Sequence, residues 1–213
     1  MATELDPRAA RSYDALIATM DELLDEREDP AAVKITEIVQ RAGISRPTFY
    51  QHFADVPDLV RATTLHRLTA IFGLIPNEAP GGTWGEFAHA KLSILLGALQ
   101  KDAPTYLAVF SGPAAVPVLK GVVDYLTDQI LNCSPLGTVL RRELTPDVAF
   151  ARAEFLGAGA TWRVLQWLDT DFTGADELDA MVQRLSADIL TGSGASEAEL
   201  SSAIPTADPS TDH

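Results

Sequence analysis

Apolar side chains recur at three- and four-residue intervals along almost the whole chain, and no segment sustains the two-residue alternation of a half-buried strand. Tyr13, Leu16, Ile17, Met20, Leu23 and Leu24 predict a first helix, with Asp6 as its cap and Pro7 in its first turn. Acidic residues from Asp21 to Asp29 form its solvated C-terminal part, and Asp29-Pro30 ends it. Ile35, Ile38, Val39 and Ala42 predict a second, short helix with one apolar face. Gly43 stands where that helix must stop, because glycine accepts the left-handed conformation of a C-terminal cap. Ile44 plugs the angle that follows. Ser45 then caps a third helix, Pro47 fits its first turn, and Phe49 and Phe53 anchor it inward from positions four apart. A fourth helix begins at Asp55 or Val56 and runs through Leu59, Ala62, Leu65, Leu68 and Phe72 to Gly73.

Residues 75–83, rich in proline and glycine, read as an internal linker. Beyond it, helices are expected over 84–101, 104–111, 115–132, 146–169 and 175–191, with Pro104, Pro113, Pro117, Pro135 and Pro146 marking boundaries. From Gly192 onward the chain is rich in Ser, Ala, Thr, Asp and Pro without apolar periodicity, and a disordered tail is expected there. The pattern predicts an all-α protein. A three-helix head occupies 1–54, a connecting helix 55–74, a larger helical domain 75–191 and the tail 192–213.

The second and third helices, folded around the tight turn at Gly43, have the layout of a helix-turn-helix, whose second helix enters the major groove by its N-terminal end. With Phe49 and Phe53 turned inward, Arg46, Thr48, Tyr50, Gln51 and His52 are left near the start or on the outer face. Ala42-Gly43-Ile44-Ser45, then Thr48-Phe49-Tyr50, then His52-Phe53, resembles the signature of the tetracycline-repressor (TetR) family of bacterial transcription regulators. The resemblance covers roughly residues 10–70 closely and the remainder by architecture. Arg46, with its planar fork, is the candidate for bidentate contact with guanine, its alternative being a phosphate or solvent contact. Pro47 can pack on a thymine methyl, and Thr48 can meet a thymine methyl or a phosphate. Gln51 can read adenine or turn to the backbone, and Ser45 stands at the helix start. The resemblance implies that Tyr50 and His52 hold phosphates. Two positions depart from the family pattern. Lys34 stands where Thr or Ser usually opens the second helix, losing a cap worth roughly 1 kcal/mol but adding a cation. Val56, followed by Pro57, stands where a phosphate-binding lysine usually starts the fourth helix.

The formal charge of −14 opposes a polyanionic partner until it is divided along the chain. Residues 1–68 hold eight Lys/Arg against twelve Asp/Glu, a net of −4, and residues 69–213 hold eight against eighteen, a net of −10. Within 33–53 the balance reverses, with Lys34, Arg41 and Arg46 against Glu37. An acidic body predicts weak non-specific adsorption, since sequence-independent affinity comes from neutralised phosphates and released counterions. Four histidines, at 52, 66, 89 and 213, show no metal-ligating spacing, and there is no nucleotide-binding glycine loop and no defensible catalytic triad. No enzymatic activity, metal or cofactor is expected. The single Cys133, the absence of an apolar run long enough to span a bilayer, and the acidic start without signal-peptide character point to a cytoplasmic protein.

Around 151–168 apolar or small residues occupy nearly every direction of the helix, so it must be buried on more than one side. Ala153, Gly157, Ala160, Val164 and Leu168 lie along one side, and Ala151, Phe155, Ala158, Trp162 and Leu165 along the other. Leu178, Met181, Val182, Leu185 and Ile189 make the next helix amphipathic. The family resemblance implies that these two helices pair with their symmetry mates in a four-helix dimer interface; the first stripe and Leu178, Met181, Val182 and Leu185 are its candidates, an intramolecular core being the alternative. It also implies a pocket for a small, largely apolar effector. Candidate lining residues are Trp84, Phe87, His89, Tyr106, Phe110, Gln129, Phe155, Trp162 and Gln166, with Asn132 and Arg163 as further polar groups. The expected partner is then a near-palindromic double-stranded operator, held by a homodimer with recognition helices about 34 Å apart and released by the effector. A C-terminal domain that binds a protein partner, or only dimerises, is the competing reading.

Overall fold

The computed structural model describes residues 7–26, 30–74, 83–134, 136–170 and 175–196, and their regular elements are all helical. Asp6, the expected cap of the first helix, residues 75–82 of the expected linker and residues 197–213 of the expected tail lie outside the described residues. Ten α-helices follow one another: α1 (Pro7–Glu26), α2 (Ile35–Ala42), α3 (Arg46–His52), α4 (Val56–Gly73), α5 (Trp84–Lys101), α6 (Ala103–Ser111), α7 (Ala115–Asn132), α8 (Leu136–Glu143), α9 (Pro146–Leu168) and α10 (Ala175–Ser193). A short 3-10 turn, Pro30–Ala32, precedes α2. Two boundaries differ from the periodicity reading. α8 falls between Pro135 and Pro146, where no helix was expected, and α10 extends through Gly192 to Ser193. At Gly194 the backbone turns left-handed (φ +80°), which ends the helix.

The chain forms two compact units. One gathers the chain up to Thr69 together with Asp102–Gly121; the other gathers Ala70–Lys101 with Val122 onward. The first therefore holds more than the three-helix head, because α6 and the start of α7 belong to it.

In the first unit, α1 buries Leu16, Ile17, Met20, Leu23 and Leu24, the stripe its periodicity predicts, and packs on α2 and α3. Ile38 of α2, Phe49 and Phe53, and Leu59 and Val60 of α4 complete this core. Arg67 of α4 reaches across to α1, where it donates to the Asp21 carboxylate, to the Asp21 carbonyl at 2.8 Å and to Asp25 at 2.6 Å. Its side chain is only 12% exposed. Burial alone pulls this guanidinium's pKa down, yet the hydrogen bonds and charges of Asp25 and Asp21 outweigh it and leave the value raised.

In the second unit, α10 lies against α5 and α9, and α8 against α9. α5 opens with a reciprocal cap. The Thr83 N–H donates to Glu86 at 2.7 Å, and the Glu86 N–H donates back to the Thr83 hydroxyl at 3.3 Å. Leu131, Leu140, Ala149 and Ala153 form one buried cluster from α7, α8 and α9, with Ile130 and Leu144 against it. Gly157 faces α7 so closely that a Cβ would stand 3.3 Å from that of Leu126 and 3.5 Å from the Val123 carbonyl. No single helix among the described residues is long and apolar enough to cross a membrane.

Candidate nucleic-acid interface

The turn between α2 and α3 is built by backbone chemistry that the sequence spells out. Gly43 adopts φ +66°, ψ +28°, and its N–H donates to the Gln40 carbonyl while that of Ile44 donates to Val39 at 3.1 Å. This pair of bonds satisfies the last carbonyls of α2. Two residues on, the Ser45 hydroxyl accepts the Thr48 N–H at 3.2 Å and shares a 2.8 Å hydrogen bond with the Thr48 hydroxyl, with Pro47 in the first turn. α4 starts similarly, with the Asp55 carboxylate accepting the Asp58 N–H at 2.8 Å. By contrast, Lys34 at the start of α2 makes no side-chain cap, as its chemistry requires.

Phe49 and Phe53 are buried, and that rotation turns the remaining groups of α3 outward. Arg46, Pro47, Tyr50 and Gln51 are exposed, Tyr50 by 53%, and Thr48 is half-buried by its bonds to Ser45. Tyr50 stands edge-on to Phe49, which fixes the ring while its hydroxyl end faces water. His52 is held more firmly than the sequence suggests. Its Nε2 lies 2.7 Å from the Ser12 hydroxyl of α1, and Tyr13 packs edge-on against its ring and stacks on Phe53. Ser12 and Tyr13 were missed from sequence because their only signal is a contact forty residues away. A cleft of about 300 Å³ opens beside them between α1 and α4, with His52, His66 and the Arg61–Asp58 ion pair on its walls.

The local positive charge is smaller than the residue tally implies. Arg41 is bound by Glu26 at 2.7 Å and by Glu37 at 3.4 Å, and the Glu26 hydrogen bond, the largest influence, raises its pKa further. Lys34 and Arg46 remain as the exposed cations of the motif.

The expected effector residues are divided between the two units. Tyr106 and Phe110 belong to the first unit, whereas Trp84, Phe87, His89, Gln129, Phe155, Trp162 and Gln166 belong to the second. Tyr106 is buried, and burial, partly offset by the Arg67 charge, pushes its phenol up to about 12. Trp84 is half-buried at the start of α5. Phe87 is covered by the Lys91 ammonium, 4.4 Å from its ring centre, and burial lowers the pKa of that lysine. His89 pairs with Asp179 at 3.3 Å, Gln129 donates to the Cys133 sulfur, Asn132 donates to Asp128, and Arg163 pairs with Asp188.

On α9 the two faces differ sharply in burial. Ala153, Gly157 and Leu168 are buried within the chain, and Ala160 and Val164 are half-buried beside them. On α10, Met181, Val182 and Leu185 are buried and Leu178 half-buried, its side chain 3.9 Å from where a Cβ on Gly97 would lie. The buried members of this stripe pack within the chain, as the alternative reading of an intramolecular core expects. The opposite side carries Phe155 at 77% exposure and Trp162 at 62%, with Ala151, Ala158, Gly159 and Gln166 also exposed.

Comparison with known proteins agrees with the geometry of the head. The family described as bacterial regulatory proteins, tetR family, matches residues 19–63. The uncharacterized HTH-type transcriptional regulator YxbF of Bacillus subtilis (strain 168) is 33% identical over 98 residues, which is 45% of this chain and 26% of that protein. The chain thus matches only about a quarter of that relative's length. Among solved structures, a tetR-family transcriptional regulator from Streptomyces coelicolor aligns with a TM-score of 0.56 at 21% identity, over 89% of this chain and 84% of that one. A TetR transcriptional regulator from Rhodococcus sp. RHA1 aligns with a TM-score of 0.59 at 18% identity, over 87% and 97%. At those identities the structures speak for the fold.

Proposed function

We propose that the chain is a transcriptional regulator of the TetR family, binding DNA through its helix-turn-helix head, and that it acts as a homodimeric repressor, released from a near-palindromic operator by a small, largely apolar effector. The observation that carries the DNA-binding half is the exposed polar face of α3, fixed in angle by Gly43 and Ser45. Arg46 reads a base, Tyr50 and His52 hold phosphates, and the helix N-terminus adds its N–H groups. Homodimerisation is supported by the outward face of α9. Phe155 and Trp162, seven residues apart, are flanked by Ala151, Ala158 and Gly159, whose small side chains let a second helix approach. Two large aromatics exposed along one helix face support an interface there. A dimer also supplies what a single weakly charged head lacks, a second recognition helix at fixed spacing.

Release follows from a population shift. Arg67 ties α4 to α1, and α1 carries Ser12 and Tyr13 against the end of α3, so α1, α3 and α4 move together. An effector that prefers the conformer in which two such heads are wrongly spaced lowers operator affinity by its differential binding. Operator titrations by fluorescence anisotropy with and without effector test this; equal effector affinity for free and operator-bound protein eliminates release. A second reading keeps the DNA-binding head but gives the chain a C-terminal domain that only dimerises or binds a protein partner. A thermal-shift screen separates the two, because stabilisation by a small apolar compound belongs to the sensing reading alone.

A further inference from the structure

Helix α4 is tied to α1 at one point and parted from it at another. Arg67 of α4 binds Asp21 and Asp25 of α1, which closes the seam there. Tyr13 stands about 12 Å nearer the start of α1, and there the cleft of about 300 Å³ opens. Flat groups dominate its lining: the rings of Tyr13, His52, Phe53 and His66, and the guanidinium of Arg61. Ala62 and Leu65 add an apolar wall, and that wall is backed. A Cβ on Gly121 of α7 would stand 3.0 Å from the Leu65 side chain and 3.4 Å from that of Arg61, so neither has room to swing that way. Charge in the cleft is balanced. The Arg61 Nε–H and an Nη2–H donate to Asp58 Oδ1 at 3.2 and 2.8 Å, and Asp58 Oδ2 accepts the Ala54 N–H at 3.2 Å. Arg61 is therefore a fixed, compensated plane that offers an anion no net attraction. Its N–H groups not spent on Asp58 can still donate to an uncharged oxygen.

We propose that this cleft in the head binds a flat, uncharged aromatic molecule carrying a hydroxyl or carbonyl oxygen, and that the recognition helix responds to its presence. Such a molecule presents its faces and edges to the surrounding rings and guanidinium, gives its oxygen to Arg61, and leaves no charge unpaired. The volume lies at the small end for ligand sites and suits two fused rings. His52 ends α3 and is bonded to Ser12 of α1 at 2.7 Å. A ligand wedged between α1 and α4 against His52 bears on the contact that seats α1 on α3. Operator affinity then changes by the ratio of the ligand's affinities for free and DNA-bound protein. That coupling rests on the operator-binding reading above, whereas the binding site does not.

The probe is β-naphthol, added to the full chain without DNA and followed by calorimetry and by proton–carbon NMR. A dissociation constant of about 1 mM or tighter is expected, with ring-current shifts at the methyl groups of Ala62 and Leu65. Decahydro-β-naphthol, which keeps the hydroxyl without a flat ring, and β-naphthoate, which is charged, should each bind about tenfold more weakly. Ala62→Leu fills the cleft and should weaken β-naphthol by about tenfold or more at an unchanged melting temperature. His66→Ala, at an exposed position, should weaken it several-fold and serves equally if Ala62→Leu does not fold. Absence of saturable binding overturns the proposal, as does binding that leaves the Ala62 and Leu65 methyls unmoved. Equal binding of either analogue overturns the ligand class. Saturating β-naphthol should change the affinity for a duplex enriched from a random-sequence pool by about threefold or more in the wild type and not in the filled variant. An unchanged affinity with the cleft occupied overturns the coupling. Failure of the wild-type protein to enrich any sequence overturns the operator-binding reading and the coupling together, a result distinct from failure of β-naphthol to bind.

Discussion

Gly43 and Ser45 hold the recognition helix at its angle by separate means. A Cβ at Gly43 meets nothing within 4 Å, so Gly43→Ala suffers no clash and its cost is the left-handed backbone alone, about 1–2 kcal/mol. Ser45→Ala loses the hydroxyl that accepts the Thr48 N–H and should cost about 1 kcal/mol. Urea denaturation should show both losses, with Gly43→Asn closer to wild type than Gly43→Ala because asparagine tolerates that conformation. Arg46 and Tyr50 are exposed, so replacing them should spare stability and act on DNA. Arg46→Ala is expected to cost about 1–3 kcal/mol and relax preference at one or two base pairs per half-site, whereas Tyr50→Phe should weaken all sequences alike. A titration across operator variants distinguishes them, and a uniform loss for Arg46→Ala removes its base-reading role.

Between elements, the buried Tyr106 makes the first unit sensitive to alkali. Tyr106 ionises at about 12 in the folded chain, against an ordinary value of 10.0, because burial disfavours the phenolate. A value raised by folding means that the stabilisation is fully present below pH 10 and is lost as pH rises from 10 through 12. Denaturation midpoints measured across that window should fall for the wild type and fall less for Tyr106→Phe. The same scale exposes where periodicity ran out. α1 was legible because its polar and apolar sides differ sharply, and the buried stripe is the one its spacing marks. α8 was not. Eight residues between two prolines, with Gly137 and two arginines among them, carry too short a pattern to separate from a loop, and burial of Leu136, Val139 and Leu140 is what holds the helix.

For the whole molecule, the outward face of α9 and its inward face make opposite predictions. Phe155→Arg with Trp162→Arg places charge on exposed positions, so the folded chain should keep its denaturation midpoint while light scattering reports a monomer in place of a dimer. Operator affinity should then drop by two orders of magnitude or more, since the second head no longer binds at high effective concentration. Val182→Ala, at a position with no exposure, should instead destabilise the chain by about 1–3 kcal/mol and leave the mass unchanged. A dimer that survives the double arginine change places the subunit contact elsewhere.

The residues from 33 to 53 determined by themselves that the head is a helix-turn-helix. The cap, the positive-φ glycine, the serine and the two inward phenylalanines are all local, and local chemistry is what a sequence displays directly. The all-helical class was legible for the same reason. Tertiary structure alone decided which charges and which faces are available. Arg41 reads as a DNA-facing cation until Glu26, fifteen residues away, is seen to bind it. α9 has small or apolar residues all round, so no moment within the helix distinguishes inside from outside. The close approach of Gly157 to Val123 and Leu126 of α7, and of Ala153 to the cluster with Leu131 and Leu140, chooses the inner side and leaves Phe155 and Trp162 facing out. A helix with two candidate faces takes its orientation from its neighbours, and neighbours are a property of the fold.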